Sequence, residues 1–334
     1  MTTKSKILAQ LVADSNSIDA AVDAALKRTR CVLFAYHDTG YAFMEALLTL
    51  GAPIVALFTH QDDPHEEIWW RSCTELAARN SIAVFTPDRV DADVIARVAA
   101  LRPEVIYSVY YRYLLPDAIL NSAAIGAFNL HGSVLPKYRG RAPVNWMIVN
   151  GEREAGLTLH HMVARADAGD IVAQRSCTID DSDTALTLYR KLVPLGAEIV
   201  REYHPLIVTG RAPRLVQDLS RGTYFGRRRP EDGRIDWRWP VRRIFNLVRA
   251  VTHPYPGSFC FAAGKKLFIW EARIAREKGV MGAPGEIIGD VDGGLEIAAG
   301  QGSLIVTRAQ FEADQEAGAR TVLGAVKARP RALL

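Results

Sequence analysis

Cysteine is scarce and scattered in this chain: Cys31, Cys73, Cys177 and Cys260 are the four it has. They form neither CxxC pairs nor the Cys/His spacing of a zinc site, so a disulfide framework and a structural zinc are set aside and all four read as buried thiols. Long apolar runs are missing too. No stretch approaches the roughly 20 apolar residues of a membrane-spanning helix, and the N-terminus MTTKSKILAQ lacks the apolar core and cleavage site of a secretory signal. A cytoplasmic protein is expected. Charge of one sign is not in excess: 41 Lys and Arg against 37 Asp and Glu leave a formal charge of +4 over 334 residues, which alone points to no nucleic-acid or acidic-membrane partner. Several ligand-binding signatures are absent as well. The first βα turn, AYHDTGY, has no GxGxxG and so lacks the usual backbone cradle for a dinucleotide. No P-loop, GxSxG or HExxH occurs.

What is there has globular proportions, 49% hydrophobic and 23% charged, with length for one large domain and a smaller one. Residues 1–28 are polar and Ala-rich and read as a helical extension, with Asn16 and Ser17 placed to cap a second short helix after a break at Asp14. From Cys31 the runs CVLFAY, APIVALFTH, IAVFTP and EVIYSVYY alternate with helix-like stretches such as YAFMEALLTL and DADVIARVAAL. That alternation predicts an α/β fold, a mostly parallel Rossmann-like sheet flanked by helices, over residues 29–230. GAFNLHG and GLTLHHMV add two strands, and a long helix is expected around TALTLYRKLVPLGAEIVREYHPLI. Past the basic run GTYFGRRRPEDGRIDW comes a helix-like RRIFNLVRAV and then short strands, with Gly264, Gly289, Gly293 and Gly294 read as turns. Residues 231–334 are therefore expected to form a small β-rich, barrel-like (OB-like) domain.

An α/β sheet binds ligands at the carboxyl ends of its strands, which directs attention to FNLHGSVLPKYRGRAP, residues 128–143. In a strand, side chains alternate, so Asn129 and His131 point to one face while Leu130 points away. An amide and an imidazole then emerge together where the strand ends, either as satisfied structural groups or as working ones. The following Lys137, Tyr138, Arg139, Gly140 and Arg141 suit either a solvated loop or an anion-holding one. Asp167, in the loop RADAGDI, is either a turn residue or a partner that sits beside His131, accepts its hydrogen bond and raises its pKa.

FNLHGSVLPKYRGRAPVNW and RADAGDIV resemble the signature of the formyltetrahydrofolate-dependent transferases. The similarity runs from about Cys31 to beyond Ile274 through FGRRRPEDGRIDW, IFNLVRAVTHPYPG and KLFIWEARI. The resemblance implies transfer of a formyl group from 10-formyltetrahydrofolate to an amine, without a metal. It assigns Asn129 to transition-state stabilisation, His131 to acid or base catalysis and Asp167 to tuning His131. It places folate contacts at Tyr113, Leu114, Leu115 and Arg141 and at Val163, Ala164, Arg165 and Ala166. For Leu114 and Leu115 the competing reading is ordinary core packing.

Within the family, FAYHDTG, FTHQDDP and YYRYLLPD most resemble the branch that formylates UDP-4-amino-4-deoxy-L-arabinose in lipid A modification and polymyxin resistance. A small nucleotide-sugar substrate is expected, with Lys137, Arg139 and Trp146 as contributors to its binding. That branch continues into a dehydrogenase-like half, whereas this chain stops at Leu334, so a separate dehydrogenase partner is expected. Methionyl-tRNA is a weaker candidate. The stretch HQDDPHEEIWWR sets Asp62, Asp63, Glu66 and Glu67 against Arg71, a poor match for a phosphate backbone, although Arg227, Arg228, Arg229, Arg242 and Arg243 lie farther on. Another amino sugar is a further alternative. The reading from a different class is a folate-binding module without catalysis.

Overall fold

The computed structural model describes residues 19–64, 67–279, 282–291 and 293–327; Asp14, Asn16, Ser17 and Glu66 lie outside them. Residues 19–28 form helix α1. There follow β1 (Cys31–Ala35), α2 (His37–Thr49), β2 (Ile54–Phe58), α3 (Cys73–Arg79), β3 (Ala83–Phe85), α4 (Ala92–Ala100), β4 (Val105–Val109), α5 (Asp117–Leu120), β5 (Gly126–His131), β6 (Arg139–Gly140), α6 (Pro143–Val149), β7 (Glu154–His161), β8 (Ile171–Thr178) and α7 (Ala185–Val208). The central sheet has the order β3-β2-β1-β4-β5-β7-β8. β1, β2, β3, β4 and β5 pair in parallel, and β7 runs antiparallel to β5.

Apolar packing on both faces explains why β1 and β4 read as near-continuous hydrophobic runs rather than alternating ones; every residue of both is buried. Val32, Phe34, Phe58 and Ile106 meet Val94 and Val98 of α4 in one cluster. Tyr107 brings its ring to within 5.0 Å of Phe43 on α2. Helix starts are set locally: the Ser72 and Asp91 side chains accept from the Glu75 and Val94 amides, satisfying donors that α3 and α4 would otherwise leave bare. Register then aligns the strand ends. Ala35 pairs with Val109, Val109 with Leu130, and Asn129 with His160 of β7.

Later in the chain come β9 (Tyr224–Phe225), α8 (Val241–Val251), β10 (Ser258–Ala262), β11 (Lys265–Arg276), β12 (Ile287–Val291), β13 (Gly294–Ala298), β14 (Ser303–Phe311), β15 (Ala317–Gly318) and α9 (Ala319–Lys327). This is the expected β-rich domain, an antiparallel sheet of order β10-β11-β14-β13-β12 with β15 beside β14. Gly264 and Gly293 turn between strands with φ near +80°. Gly289 and Gly294 do not; both lie within strands. At Gly294 an added Cβ would come within 2.1 Å of the Val306 carbonyl oxygen, so this glycine permits close strand approach rather than a turn.

The chain divides into two compact units, one from residues 1–139, 156–176 and 191–224, the other from 140–155, 177–190 and 225–334. Within the second unit, Asn145 donates to the Ala250 carbonyl at 2.7 Å, and buried Arg249 donates to the carbonyls of Asp180 and Asp183. Cys31, Cys73 and Cys260 are buried free thiols, as expected, and burial pushes each up to about 12. Cys177 departs from the expectation, being half-buried. Among the described residues no helix is long and apolar enough to cross a membrane.

Candidate active site

Asn129 and His131 occupy the end of β5, as their spacing predicts, and Tyr138, His160 and Asp167, which meet them, belong with them to the first unit. The chain after His131 loops back so that the Tyr138 carbonyl lies 2.7 Å from His131 Nε2. Several bonds hold that carbonyl in place. Tyr138 has a left-handed backbone, φ +58°, and its amide donates to Thr223 Oγ1 at 2.8 Å. Ser133 Oγ donates to the Lys137 carbonyl at 2.7 Å, and Thr158 Oγ1 donates to the Ser133 carbonyl at 2.7 Å. A carbonyl only accepts, so His131 carries its hydrogen on Nε2, and in the neutral ring Nδ1 keeps the lone pair.

Asp167 arrives on the opposite side. Its loop leaves β7 at His161 and returns at once, which requires Gly169: a Cβ there would fall 1.9 Å from the His161 carbonyl oxygen. Asp167 itself adopts φ +53°, a conformation short polar side chains tolerate. Gln217 donates its side-chain amide to the carbonyls of Asp167, at 3.2 Å, and Gly169, at 2.5 Å. Asp167 Oδ1 thereby lies 3.5 Å from His131 Nδ1, 3.4 Å from Asn129 Nδ2 and 3.7 Å from His160 Nε2. One carboxylate oxygen is the meeting point of all three.

Two details bear on the sequence-based expectation for Asp167. At 3.5 Å it meets His131 as a charge rather than through a short hydrogen bond. It does push the His131 pKa upward, as does the Tyr138 carbonyl, but burial outweighs both and the net direction is down, with His160 adding to the fall. A nearly fully buried imidazole, 6% exposed, is thus kept neutral beside a negative charge, ready to take a proton at Nδ1.

The residues the resemblance assigned to folate divide. Leu114 is 76% exposed, which rules out core packing for that side chain, and Tyr113 and Val163 are also exposed. Leu115 does pack partly against the core cluster. Ala164 and Arg165 are exposed and Ala166 is half-buried, in the loop that carries Asp167. Arg141 belongs to the second unit, where its amide donates to the Phe225 carbonyl at 2.9 Å. Exposed apolar side chains at Leu114 and Val163 fit the walls a flat ring requires.

Sequence reasoning missed His160, which is 1% exposed and directly opposite Asn129. The signal was available: in GLTLHHMV, placing one strand beside FNLHG sets a histidine across from the asparagine. Gln217 and Thr158 were missed because their partners are backbone carbonyls distant in sequence. Among the described residues no group of three or more His, Cys, Asp or Glu side chains is placed to hold a metal ion.

Comparison with known proteins places the fold. An N-formyltransferase from Helicobacter canadensis, solved with folinic acid and dTDP-3-aminofucose, is 20% identical over 85% of this chain and 99% of its own, with a TM-score of 0.68. WlaRD, a sugar 3N-formyltransferase solved with dTDP and 5-N-formyl-THF, is 20% identical over 86% of this chain and 99% of its own, with a TM-score of 0.64. HypX from Aquifex aeolicus, solved with tetrahydrofolic acid, is 19% identical over 89% of this chain, with a TM-score of 0.60; the matched part is 47% of HypX, so this chain spans about half its length. The family model for formyl transferase matches residues 42–202, which hold Asn129, His131, His160 and Asp167, and the model for the formyl transferase C-terminal domain matches residues 228–325. Together they leave only the two ends and residues 203–227 unmatched, and the chain belongs to the formyl transferase family.

Proposed function

We propose that this protein is an N-formyltransferase that moves a formyl group from 10-formyltetrahydrofolate to the 4-amino group of UDP-4-amino-4-deoxy-L-arabinose. The observation that carries the formyl-transfer reading is the convergence of Asn129, His131 and Asp167 at the end of β5, in a chain matched by the family model across that segment. When bound, the folate supplies an activated formyl carbon. The residues do the rest. Attack by the amine forms a carbon–nitrogen bond and sends the carbonyl electrons to oxygen, while the amine proton passes to His131 Nδ1. Asp167 stabilises the imidazolium so formed, and the proton returns to the departing folate nitrogen as its bond to the formyl carbon breaks. Such proton transfer contributes on the order of 10²- to 10⁴-fold. Tyr113, Leu114, Leu115 and the loop Val163–Ala166 would border the folate. Catalysis by this set is favoured over a folate-binding relic, which would need no imidazole held neutral beside a carboxylate.

Acceptor choice rests on the stretch after β2. Arg71 is engaged by Asp38 at 3.0 Å and lies over the Tyr41 ring, and Tyr36 donates to Asp62 at 2.6 Å. Asp62, Asp63 and Glu67 are exposed along it, a charge sign that disfavours an RNA backbone. Of the later arginines, Arg242 pairs with Asp181 and Glu277, and Arg243 stacks on Trp239. A nucleotide-linked amino sugar is therefore preferred, in the cytoplasm and within lipid A modification, with a separate dehydrogenase as pathway partner. The dTDP-sugar and dTDP in the two sugar N-formyltransferase structures favour, as a second reading, an amino sugar on another nucleotide.

Formyl transfer from 10-formyltetrahydrofolate to UDP-4-amino-4-deoxy-L-arabinose, to a dTDP-linked amino sugar and to methionyl-tRNA, compared under matched salt, tests this. Turnover of the UDP-sugar alone is expected. Turnover of the dTDP-sugar would move the acceptor to the second reading, and turnover of tRNA alone would overturn the sugar assignment.

A further inference from the structure

From Arg214 to Thr223 the chain is exposed or half-buried at every residue but Gln217, which is 8% exposed. Apolarity alone would reverse that order, since Leu215 beside it is 61% and Val216 83% exposed. The Gln217 side-chain nitrogen donates both of its hydrogens, to the carbonyls of Asp167 and Gly169, while its Oε1 is buried with no partner. An unmatched buried acceptor is unfavourable, so the two bonds on the nitrogen are what keep this side chain inside.

Gln217 is one of a row of stitches within the first unit. Arg214 donates to Asp170 at 2.6 Å, and Leu215 and Ile171 exchange both backbone bonds, at 2.8 and 2.9 Å. Asp218 then accepts from the Ser220 amide and hydroxyl as Leu219–Arg221 make a short 3-10 turn. Beyond the turn the chain runs so close to the other loop that a Cβ at Gly222 would come within 2.7 Å of the Pro136 carbonyl oxygen. Thr223 follows, accepting the Tyr138 amide on Oγ1 at 2.8 Å and the Arg139 amide on its carbonyl at 3.0 Å. One short strap therefore grips the Asp167 loop at one end and the Tyr138 loop at the other. Those loops carry the groups that face the two nitrogens of His131.

Resting on the formyl-transfer reading, we infer that Gln217 and Thr223 are positioning residues: the strap Arg214–Thr223 sets the Asp167 carboxylate and the Tyr138 carbonyl at a fixed spacing on either side of His131. Neither residue touches the reacting atoms, and no proton passes through them. Their effect is one of placement, and a displaced catalytic group typically costs about 10²-fold in rate.

Gln217→Leu fills the space without a donor; Thr223→Val removes the hydroxyl acceptor and Thr223→Ser keeps it. With 10-formyltetrahydrofolate and UDP-4-amino-4-deoxy-L-arabinose, kcat of Gln217→Leu is expected to fall about 10²-fold with both KM values within about threefold. Thr223→Val is expected to lose about tenfold, the order of one hydrogen bond, and Thr223→Ser to stay within about twofold of wild type. In an Asp167→Asn background Gln217→Leu should cost less than about threefold more, because the group it places has already lost its charge. Wild-type kcat in Gln217→Leu, a fully additive loss in the double variant, or a serine variant no better than valine would overturn the inference.

Hydrogen exchange read by mass spectrometry needs no turnover. Exchange is expected to quicken over residues 162–170 in Gln217→Leu and over residues 132–139 in Thr223→Val, with β1 to β4 as in the wild type. If the wild type transfers no formyl group, the functional reading fails while exchange still decides the strap. Exchange that quickens throughout the first unit, or nowhere, would sink it.

Discussion

Two carboxylates in this molecule gather cations or imidazoles around them, and they differ in almost every respect. Asp181, in the second unit, is 51% exposed and sits 2.9 Å from Arg153 and 2.8 Å from Arg242, which also reaches Glu277. Asp167, in the first, is 14% exposed, and His131, His160 and Asn129 lie 3.4 to 3.7 Å from its Oδ1, none of these three a permanent cation. The shorter contacts belong to the exposed cluster, where water and salt screen them. In the buried cluster each donor and acceptor is used in one way only, because the backbone carbonyls of Tyr138 and His161 dictate both tautomers. Short ion pairs therefore say little here about function, whereas a buried carboxylate facing the His131 imidazole, whose pKa burial lowers, marks the place where a proton can be moved.

The sharpest way to break this contrast is to truncate one member of each cluster. His131→Ala is expected to lower kcat on the order of 10²- to 10⁴-fold, the usual worth of a general acid or base, while far-ultraviolet circular dichroism stays that of the wild type. A variant that keeps near-wild-type turnover would remove His131 from the chemistry.

Acid sharpens the same contrast. His204 on α7 is fully buried, bonded through Nδ1 to the Tyr107 hydroxyl at 2.8 Å, and burial lowers its pKa from 6.5 to about 4. Between those values the unfolded chain takes up a proton that the folded one refuses, so stability falls as pH drops from about 6.5 toward about 4. Urea midpoints at pH 7 and pH 5 should show that fall, and His204→Gln should reduce it. An unchanged pH response would mean that His204 charges in the folded state at little cost.

Asp181→Ala gives the smallest effect. The Arg242 guanidinium holds its carboxyl below the usual range, yet an exposed pair contributes ~0 to 1 kcal/mol. A thermal melt within that margin of wild type, with kcat unchanged, is the expected outcome. A loss of several kcal/mol would show that this exposed cluster is a structural clasp after all.

Much of this was legible in advance, for local reasons. Apolar runs long enough for one strand, separated by helix-like stretches, announced β1 to β5 and the helices α2 and α4, and period-two alternation put Asn129 and His131 on one side. β8 was not legible, because only the first part of IVAQRSCT is well buried and the rest is too polar to stand out. Gly289 and Gly294 were misread as turns because a glycine admits a close strand approach as readily as a positive φ, and a single sequence does not distinguish the two.

By itself, the sequence determined the α/β character, the β-rich later domain and the identity of the residues able to do the chemistry, since those follow from period and residue type. Only the tertiary structure decided how they are used. Which nitrogen of His131 is free, and that His160 belongs with Asn129 and Asp167 at all, depend on bonds between β5, β7 and their loops. Those bonds join groups far apart in sequence, and a hydrogen bond has a direction that residue type alone does not fix.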